Sequence, residues 1–160
     1  MDRLWAPWRM EYIKDMGKTD GCFLCTAAAS EDDRAHHVVW RTGGALVVLN
    51  RWPYNNGHLL IAPKAHKAEL EQLDKTETAQ LMDLLKRAVR VLKEVVQAEG
   101  FNVGLNLGRV AGAGVPGHLH WHVVPRWNGD TNFMPVISDT KIVVQSLEVL
   151  WEMLREKGGP

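Results

Sequence analysis

Residues 118–124 run His-Leu-His-Trp-His-Val-Val, and the architecture of the chain can be built outward from them. Three imidazoles stand at alternate positions, with apolar residues between them and Pro125 directly after. On a β-strand, successive side chains point to opposite faces. The spacing therefore predicts a strand with His118, His120 and His122 on one face and Leu119, Trp121 and Val123 on the other. A hydrophobic core has no use for three adjacent histidines. Phosphoryl or nucleotidyl transfer does, and so does a metal site. Just upstream, glycines at 108, 112, 114 and 117 mark a loop that leads straight into the row.

Working back toward the N-terminus, Asn102–Leu107 alternates weakly and reads as a strand. Before it lies the clearest helix. Asp74 is the predicted N-cap, and Glu77 three residues later completes a capping box. Leu81, Leu84, Leu85, Ala88, Leu92 and Val95 recur at three- and four-residue spacing, which makes one apolar stripe. Gly100 is the expected stop. Residues His58–Pro63 read as a short apolar strand, preceded by a loop over Arg51–Gly57 rich in turn residues. The runs His37–Arg41 and Ala45–Asn50, separated by Gly43-Gly44, read as a hairpin. Residues 26–36 read as a short helix and a turn, and 1–20 as an arm. Toward the C-terminus, Leu147, Leu150, Trp151 and Leu154 predict an amphipathic helix closed by Gly158-Gly159. Short links favour antiparallel pairing. The expectation is a single α+β domain over 1–160, with a mostly antiparallel sheet, one long helix packed on it and a C-terminal helix.

Composition narrows the function classes. The 160 residues carry 19 Lys plus Arg and 19 Asp plus Glu, a formal net charge of zero, which argues against a broad surface for nucleic acid. No run of 18 apolar residues exists to span a membrane. Met1–Trp5 lacks the apolar core of a secretory signal, so the expected compartment is the cytoplasm. In that compartment Cys22 and Cys25, the only two cysteines, read as metal ligands or a redox pair rather than a structural disulfide. The strand-then-helix context of a redox pair is not evident around residue 22, and two spare thiols are the plain alternative. A structural zinc wants four nitrogen or sulfur ligands, so the missing two must come from the seven histidines.

Imidazole is a good nucleophile near neutral pH, because its reference pKa of about 6.5 leaves most of it uncharged. A neutral ring nitrogen can attack phosphorus and form a covalent intermediate. Backbone N–H groups of a glycine loop and neighbouring imidazoles can hold the charge that develops on the phosphoryl oxygens. The histidine row and the Gly108–Gly117 loop supply both parts.

At this point the sequence resembles a known family. His118-Leu119-His120-Trp121-His122-Val123-Val124 matches the signature of the histidine triad (HIT) superfamily. Val48–Pro53, Gly57–Pro63, Gly104–Gly108, the Ala-Gly-rich stretch at 111–114, Pro125-Arg126-Trp127 and Gly129–Pro135 resemble the branch that acts on diadenosine polyphosphates. The likeness covers roughly residues 20–145. It implies a HIT-like fold with a zinc-binding and nucleotide-pocket segment over 22–66 and the triad segment over 101–127.

It also implies roles. His120 is similar to the family nucleophile, and His122 to the residue that contacts the scissile phosphate and helps the leaving group. His58 resembles the fourth histidine behind the triad. Asn50 falls where ribose hydroxyls are held, and Asn106 with the main chain around Ala113 and Gly114 where phosphates lie. Cys22, Cys25, His66 and His118 resemble a structural zinc set, with His36 and His37 as rival ligands. The implied activity is a nucleotidyl hydrolase or transferase that cleaves dinucleoside polyphosphates, diadenosine tetraphosphate first, through a nucleotidyl-histidine. Magnesium would accompany the polyphosphate, and the protein would be a homodimer. The alternatives are a diadenosine tetraphosphate phosphorylase and a nucleoside phosphoramidate hydrolase. Phosphorylases of this group tend to carry a serine before the triad. No hydroxyl residue stands between 108 and 117, which favours water over phosphate as acceptor.

Overall fold

The computed structural model describes residues 21–131 and 143–158. The arm expected over 1–20 and residues 132–135 lie outside the described residues. In chain order the elements are α1 (Phe23–Ala29), β1 (Val38–Arg41), β2 (Ala45–Leu49), β3 (Leu59–Pro63), α2 (Lys75–Val95), β4 (Gly100–Leu105), β5 (Trp121–Arg126) and α3 (Leu147–Lys157). Single 3-10 turns stand at Leu70–Gln72 and Arg109–Ala111. The strands form one antiparallel sheet in the order β1-β2-β3-β5-β4. The α+β architecture read from the sequence is the architecture observed.

Every residue of β2 and β3 is buried, because both faces of the sheet are covered. Ala45, Val47, Leu49, Leu59, Ile61 and Val123 face α2 and α3, where Leu81, Leu84, Ala88, Leu92, Leu150 and Leu154 complete the main core. Leu46, Val48, Leu60 and Ala62 face the other way and pack with Leu24 and Ala27 of α1. Burying each such Leu or Ile stabilises the fold by about 1.5–3 kcal/mol. The capping box of α2 forms as expected: Asp74 Oδ1 accepts from the Glu77 N–H at 2.8 Å, and Glu77 Oε2 accepts from the Asp74 N–H at 2.9 Å. Ser146 caps α3 in the same manner, accepting from the Val149 N–H at 3.3 Å.

Two helix boundaries differ from expectation. α1 begins at Phe23 rather than residue 26, so Cys22 becomes its N-cap residue and Cys25 enters its first turn. α2 ends at Val95 rather than at Gly100, and Gln97 takes the left-handed turn at φ 51°. The Trp127 indole N–H donates to the freed carbonyls of Val96 (3.1 Å) and Gln97 (3.0 Å). This tertiary contact ends the helix early and lets Gly100 start β4 two residues before the expected Asn102. Among the described residues no helix is long and apolar enough to cross a membrane.

Candidate active site

The histidine row is not one strand. β5 begins at Trp121, paired with Ile61 on one side and Leu105 on the other, so only His122 of the three histidines sits in the ladder. Pro63 explains the break. It lies where β3 would meet residue 119, and it has no N–H to donate to a neighbour. The chain before Trp121 instead donates the Leu119 N–H to the Lys67 carbonyl at 2.7 Å and the His118 N–H to the Val115 carbonyl at 3.2 Å. Within β5 the side chains alternate as expected. Trp121 and Val123 pack toward α2, while His122 stands opposite Leu60 on the α1 side.

His120 is 6 % exposed, and its Nδ1 lies 2.8 Å from the main-chain oxygen of His118. A carbonyl only accepts, so the network assigns the hydrogen to Nδ1 and leaves the lone pair on Nε2. Burial holds the His120 pKa below the usual imidazole value, against the opposing pull of that carbonyl. The ring is therefore neutral near pH 7, with one nitrogen ready to attack phosphorus.

His122 is set by a second chain of bonds. The Tyr54 backbone N–H donates to His58 Nδ1 at 3.0 Å, and Asn50 Nδ2 donates to the same nitrogen at 3.1 Å. His58 Nδ1 is thus the acceptor and Nε2 carries the hydrogen. That Nε2 lies 2.9 Å from His122 Nδ1, which must accept, so the His122 hydrogen sits on Nε2. The rings of His120 and His122 are 5.0 Å apart, centre to centre. A lone pair on one ring and an N–H on the next is the arrangement a displacement at phosphorus needs. Asn50 Oδ1 accepts from the Trp52 N–H at 3.0 Å, which fixes the amide; one hydrogen and one lone pair of it remain for a ligand.

Beside His122 lies a cleft of about 260 Å³, walled by Tyr54, Asn102, Val103, Gly104, Asn106 and Val124 as well. Asn106 reaches across the loop to the Gly112 carbonyl at 3.4 Å, and Gly114 lies half-buried in the bend that follows.

A second cluster lies at the other end of the row. One ligand atom each from Cys22, Cys25, His66 and His118 falls within 4.8 Å of all the others. His118 Nδ1 is 3.3 Å from the Cys22 sulfur and 3.4 Å from the Cys25 sulfur, and His66 Nδ1 is 3.2 Å from the Cys25 sulfur. Ligand pairs around a tetrahedral zinc stand roughly 3.4–3.8 Å apart, from bond lengths near 2.3 Å to sulfur and 2.0–2.1 Å to nitrogen. His118 Nε2 donates to the Pro63 carbonyl at 2.8 Å, which leaves Nδ1 as the ligating lone pair. Burial, then hydrogen bonding and charge from Cys22, push the Cys25 thiol up, a conflict between two sulfurs that a cation relieves. The set can hold a metal. Neither His36 nor His37 belongs to it.

The family model described as "HIT domain" matches residues 31–129. The chain belongs to the HIT domain family. A protein named AP-4-A phosphorylase from Mycobacterium tuberculosis is 41% identical over 154 residues, covering 92% of this chain and 79% of the relative. Two solved structures share the fold with a TM-score of 0.68. One is a zinc-bound histidine triad family protein from Mycobacterium smegmatis (24% identical, covering 86% of this chain and 93% of that one). The other is a hypothetical histidine triad nucleotide-binding protein from Sulfolobus tokodaii (27% identical, covering 86% and 91%).

In this HIT domain, sequence reasoning overlooked Tyr54, which stacks on His122 with ring centres 5.7 Å apart and anchors His58 through its main chain. No local pattern distinguishes it from another turn residue. Val124 and Asn102 were within reach of the sequence. Val124 follows His122 by two on the same strand face, and Asn102 is its register partner on β4. Gly117 is a further case: a Cβ there would stand 3.1 Å from His66 Nε2, so a side chain would press on the cluster.

Proposed function

We propose that this HIT domain is an enzyme that cleaves a dinucleoside polyphosphate, with diadenosine tetraphosphate as the first substrate. The observation that carries the reading is the complementary pair of rings, a lone pair on His120 Nε2 beside a hydrogen on His122 Nε2. His120 Nε2 attacks the phosphorus of one adenylyl group and forms a P–N bond. The P–O bond to the remaining nucleotide breaks with its electron pair going to the departing oxygen, which leaves as an anion while the His122 Nε2–H hydrogen-bonds to it. An acceptor oxygen then attacks the same phosphorus, the P–N bond breaks with its electron pair returning to His120 Nε2, and any proton the acceptor carries is released to solvent. Asn50 holds the ribose, Asn106 and the main chain at Gly114 hold phosphates, and His58 keeps His122 in its donor form. Magnesium travels with the polyphosphate.

Phosphate is the acceptor we favour, supported by the named activity of the 41% identical relative. Hydrolysis is the second reading, supported by the lack of any hydroxyl side chain between 108 and 117. Zinc is the metal proposed for Cys22, Cys25, His66 and His118, since two thiolates with two imidazoles suit a tetrahedral structural site. When bound, it would brace the segments that carry these four residues. A homodimer is supported by β4, an edge strand on which Asn102, Val103 and Gly104 are exposed.

The test is product analysis with diadenosine tetraphosphate, with and without inorganic phosphate. ATP plus ADP formed only with phosphate marks phosphorolysis. ATP plus AMP formed without it marks hydrolysis. A His120→Ala chain should lose nearly all turnover while still binding nucleotide. No consumption of the polyphosphate, with AMP released from a phosphoramidate, would overturn the substrate proposed. Full turnover in His120→Ala would overturn the mechanism.

A further inference from the structure

We propose that the cleft beside His122 receives the departing nucleotide, whose phosphates are bound there by the Asn102 amide and the Arg126 guanidinium. The proposal rests on the nucleotidyl-transfer reading above, in which the leaving oxygen faces His122. It names a substrate class: molecules whose departing part is itself a polyphosphate chain, preferred over those with a small leaving group.

The pairing of β4 with β5 sets out the parts. His122 stands opposite Gly104, and Val124 opposite Asn102. Residues paired across antiparallel strands share a face, so all four continue the His122 face away from the nucleophile. Asn102 lies two residues beyond Gly104, about 7 Å along the strand. Arg126 starts further out, opposite Gly100, but its side chain leans back toward His122. There Arg126 Nη1 donates to Asn102 Oδ1 at 2.8 Å. Arginine only donates, so this bond assigns the amide oxygen to the Arg126 side. Both Nδ2 hydrogens of Asn102 then remain for a ligand.

Asp130 fixes the guanidinium from behind. Its carboxylate is 8% exposed and accepts from Arg126 Nε at 2.5 Å, from Arg126 Nη2 at 3.0 Å and from Asn55 Nδ2 at 2.9 Å. The Arg126 side chain in front of it is half-exposed. One hydrogen each on Nη1 and Nη2 is unused among the described residues, since three of the guanidinium hydrogens are engaged. Asn102 and Arg126 thus present donors to solvent while the balancing carboxylate is covered, which is the chemistry of a phosphate site.

Gly104 floors the path from His122 to these donors. It lies outside the left-handed region, and a Cβ there would meet nothing within 4 Å. Neither backbone shape nor crowding among the described residues calls for glycine. A strand glycine of this kind leaves room for a ligand to approach the backbone. The open space is the cleft of about 260 Å³. Pairing of a second copy along the β4 edge would use main-chain groups and leave this face open.

The experiment compares diadenosine tetraphosphate with adenosine 5′-phosphoramidate, whose departing part is ammonia and does not reach the cleft. Asn102→Asp keeps the bond to Arg126 and turns the two remaining donors into an acceptor. Its kcat/KM on the tetraphosphate should fall about 10- to 100-fold, as for lost hydrogen bonds to a charged group. Its turnover of the phosphoramidate should stay within about twofold of the native chain. Asn102→Ala should show the same selectivity with a smaller loss. As a second measurement, inorganic tripolyphosphate is titrated into ¹⁵N-labelled native chain, where it should shift the Asn102 side-chain amide signals. Unchanged tetraphosphate kinetics in Asn102→Asp, or equal loss on both substrates, overturns the subsite. A change of molecular mass in solution accompanying an equal loss would mark the face as an interface between copies and overturn it too. Absence of polyphosphate turnover in the native chain would instead overturn the functional reading. The titration then still decides the subsite, and Asn102 amide signals unmoved at saturating tripolyphosphate overturn it.

Discussion

Gly57→Ala is expected to destabilise the fold by about 2–4 kcal/mol, and the structure shows why. Gly57 has φ +77°, in the left-handed region, where an L side chain costs about 1–2 kcal/mol. A Cβ there would meet Leu92 Cδ2 at 3.0 Å, Pro125 Cγ at 3.2 Å and Val96 Cγ2 at 3.8 Å. Leu92 is fully buried and Pro125 is a ring in β5, so neither yields easily. Overpacking of this kind typically adds about 1–3 kcal/mol. Reduced entropy of the unfolded chain offsets about 0.4–1 kcal/mol. Against a total stability of about 5–15 kcal/mol, the loss is readily measured by urea unfolding as a fall in midpoint with unchanged slope.

A second substitution isolates the steric part. Leu92→Ala alone should cost about 2–5 kcal/mol, but it also removes the atom nearest the new Cβ. The double variant should therefore lose less than the two singles added together, by about 1–2 kcal/mol. Because Gly57 precedes His58, the single variant should also disturb the 2.9 Å contact between His58 and His122 and lower kcat. Additivity of the two substitutions within about 0.5 kcal/mol, or a Gly57→Ala loss below about 1 kcal/mol, would refute the contact reasoning.

Acid stability should depend on Asp130. Its hydrogen bond to Arg126 lowers its pKa to about 2 against the opposing effect of burial, with help from the Trp127 N–H and Asn55. The folded value lies below the unfolded one, so the stabilisation is full above about pH 4 and is lost as pH falls toward 2. With Arg126 half-exposed and screened, it is worth about 1–2 kcal/mol; Asp130→Asn should remove it at pH 7 and flatten the acid limb of a stability–pH curve, and an unchanged limb would contradict it. Metal stripping should lower the thermal midpoint, and zinc at about 100 times its dissociation constant should return about 2.7 kcal/mol. A midpoint indifferent to zinc would contradict a metal at Cys22, Cys25, His66 and His118.

Much of the fold is legible in the sequence itself. The Asp74–Glu77 cap and the stripe from Leu81 to Leu92 are local patterns, and local patterns suffice for a helix on a sheet. Alternation about His122 puts Trp121 and Val123 on the opposite face of the strand, and the structure packs that face against α2 and α3. The ends of elements were less legible, because distant groups decide them: Trp127 closes α2, and Pro63 ends the ladder before His120.

The residue types needed for the chemistry, and their order along the chain, belong to the sequence alone. Period-two histidines and a thiol pair three residues apart need no fold to be recognised. Which histidine sits beside the thiols and which beside another ring was decided by tertiary structure. Cys22 and His118 stand 96 positions apart, and His58 and His122 stand 64 apart. Which ring nitrogen carries a hydrogen depends on the direction of bonds to groups such as the His118 carbonyl and the Tyr54 N–H. Those directions exist only once the backbone has closed around them, since a histidine's tautomer follows the partner it meets.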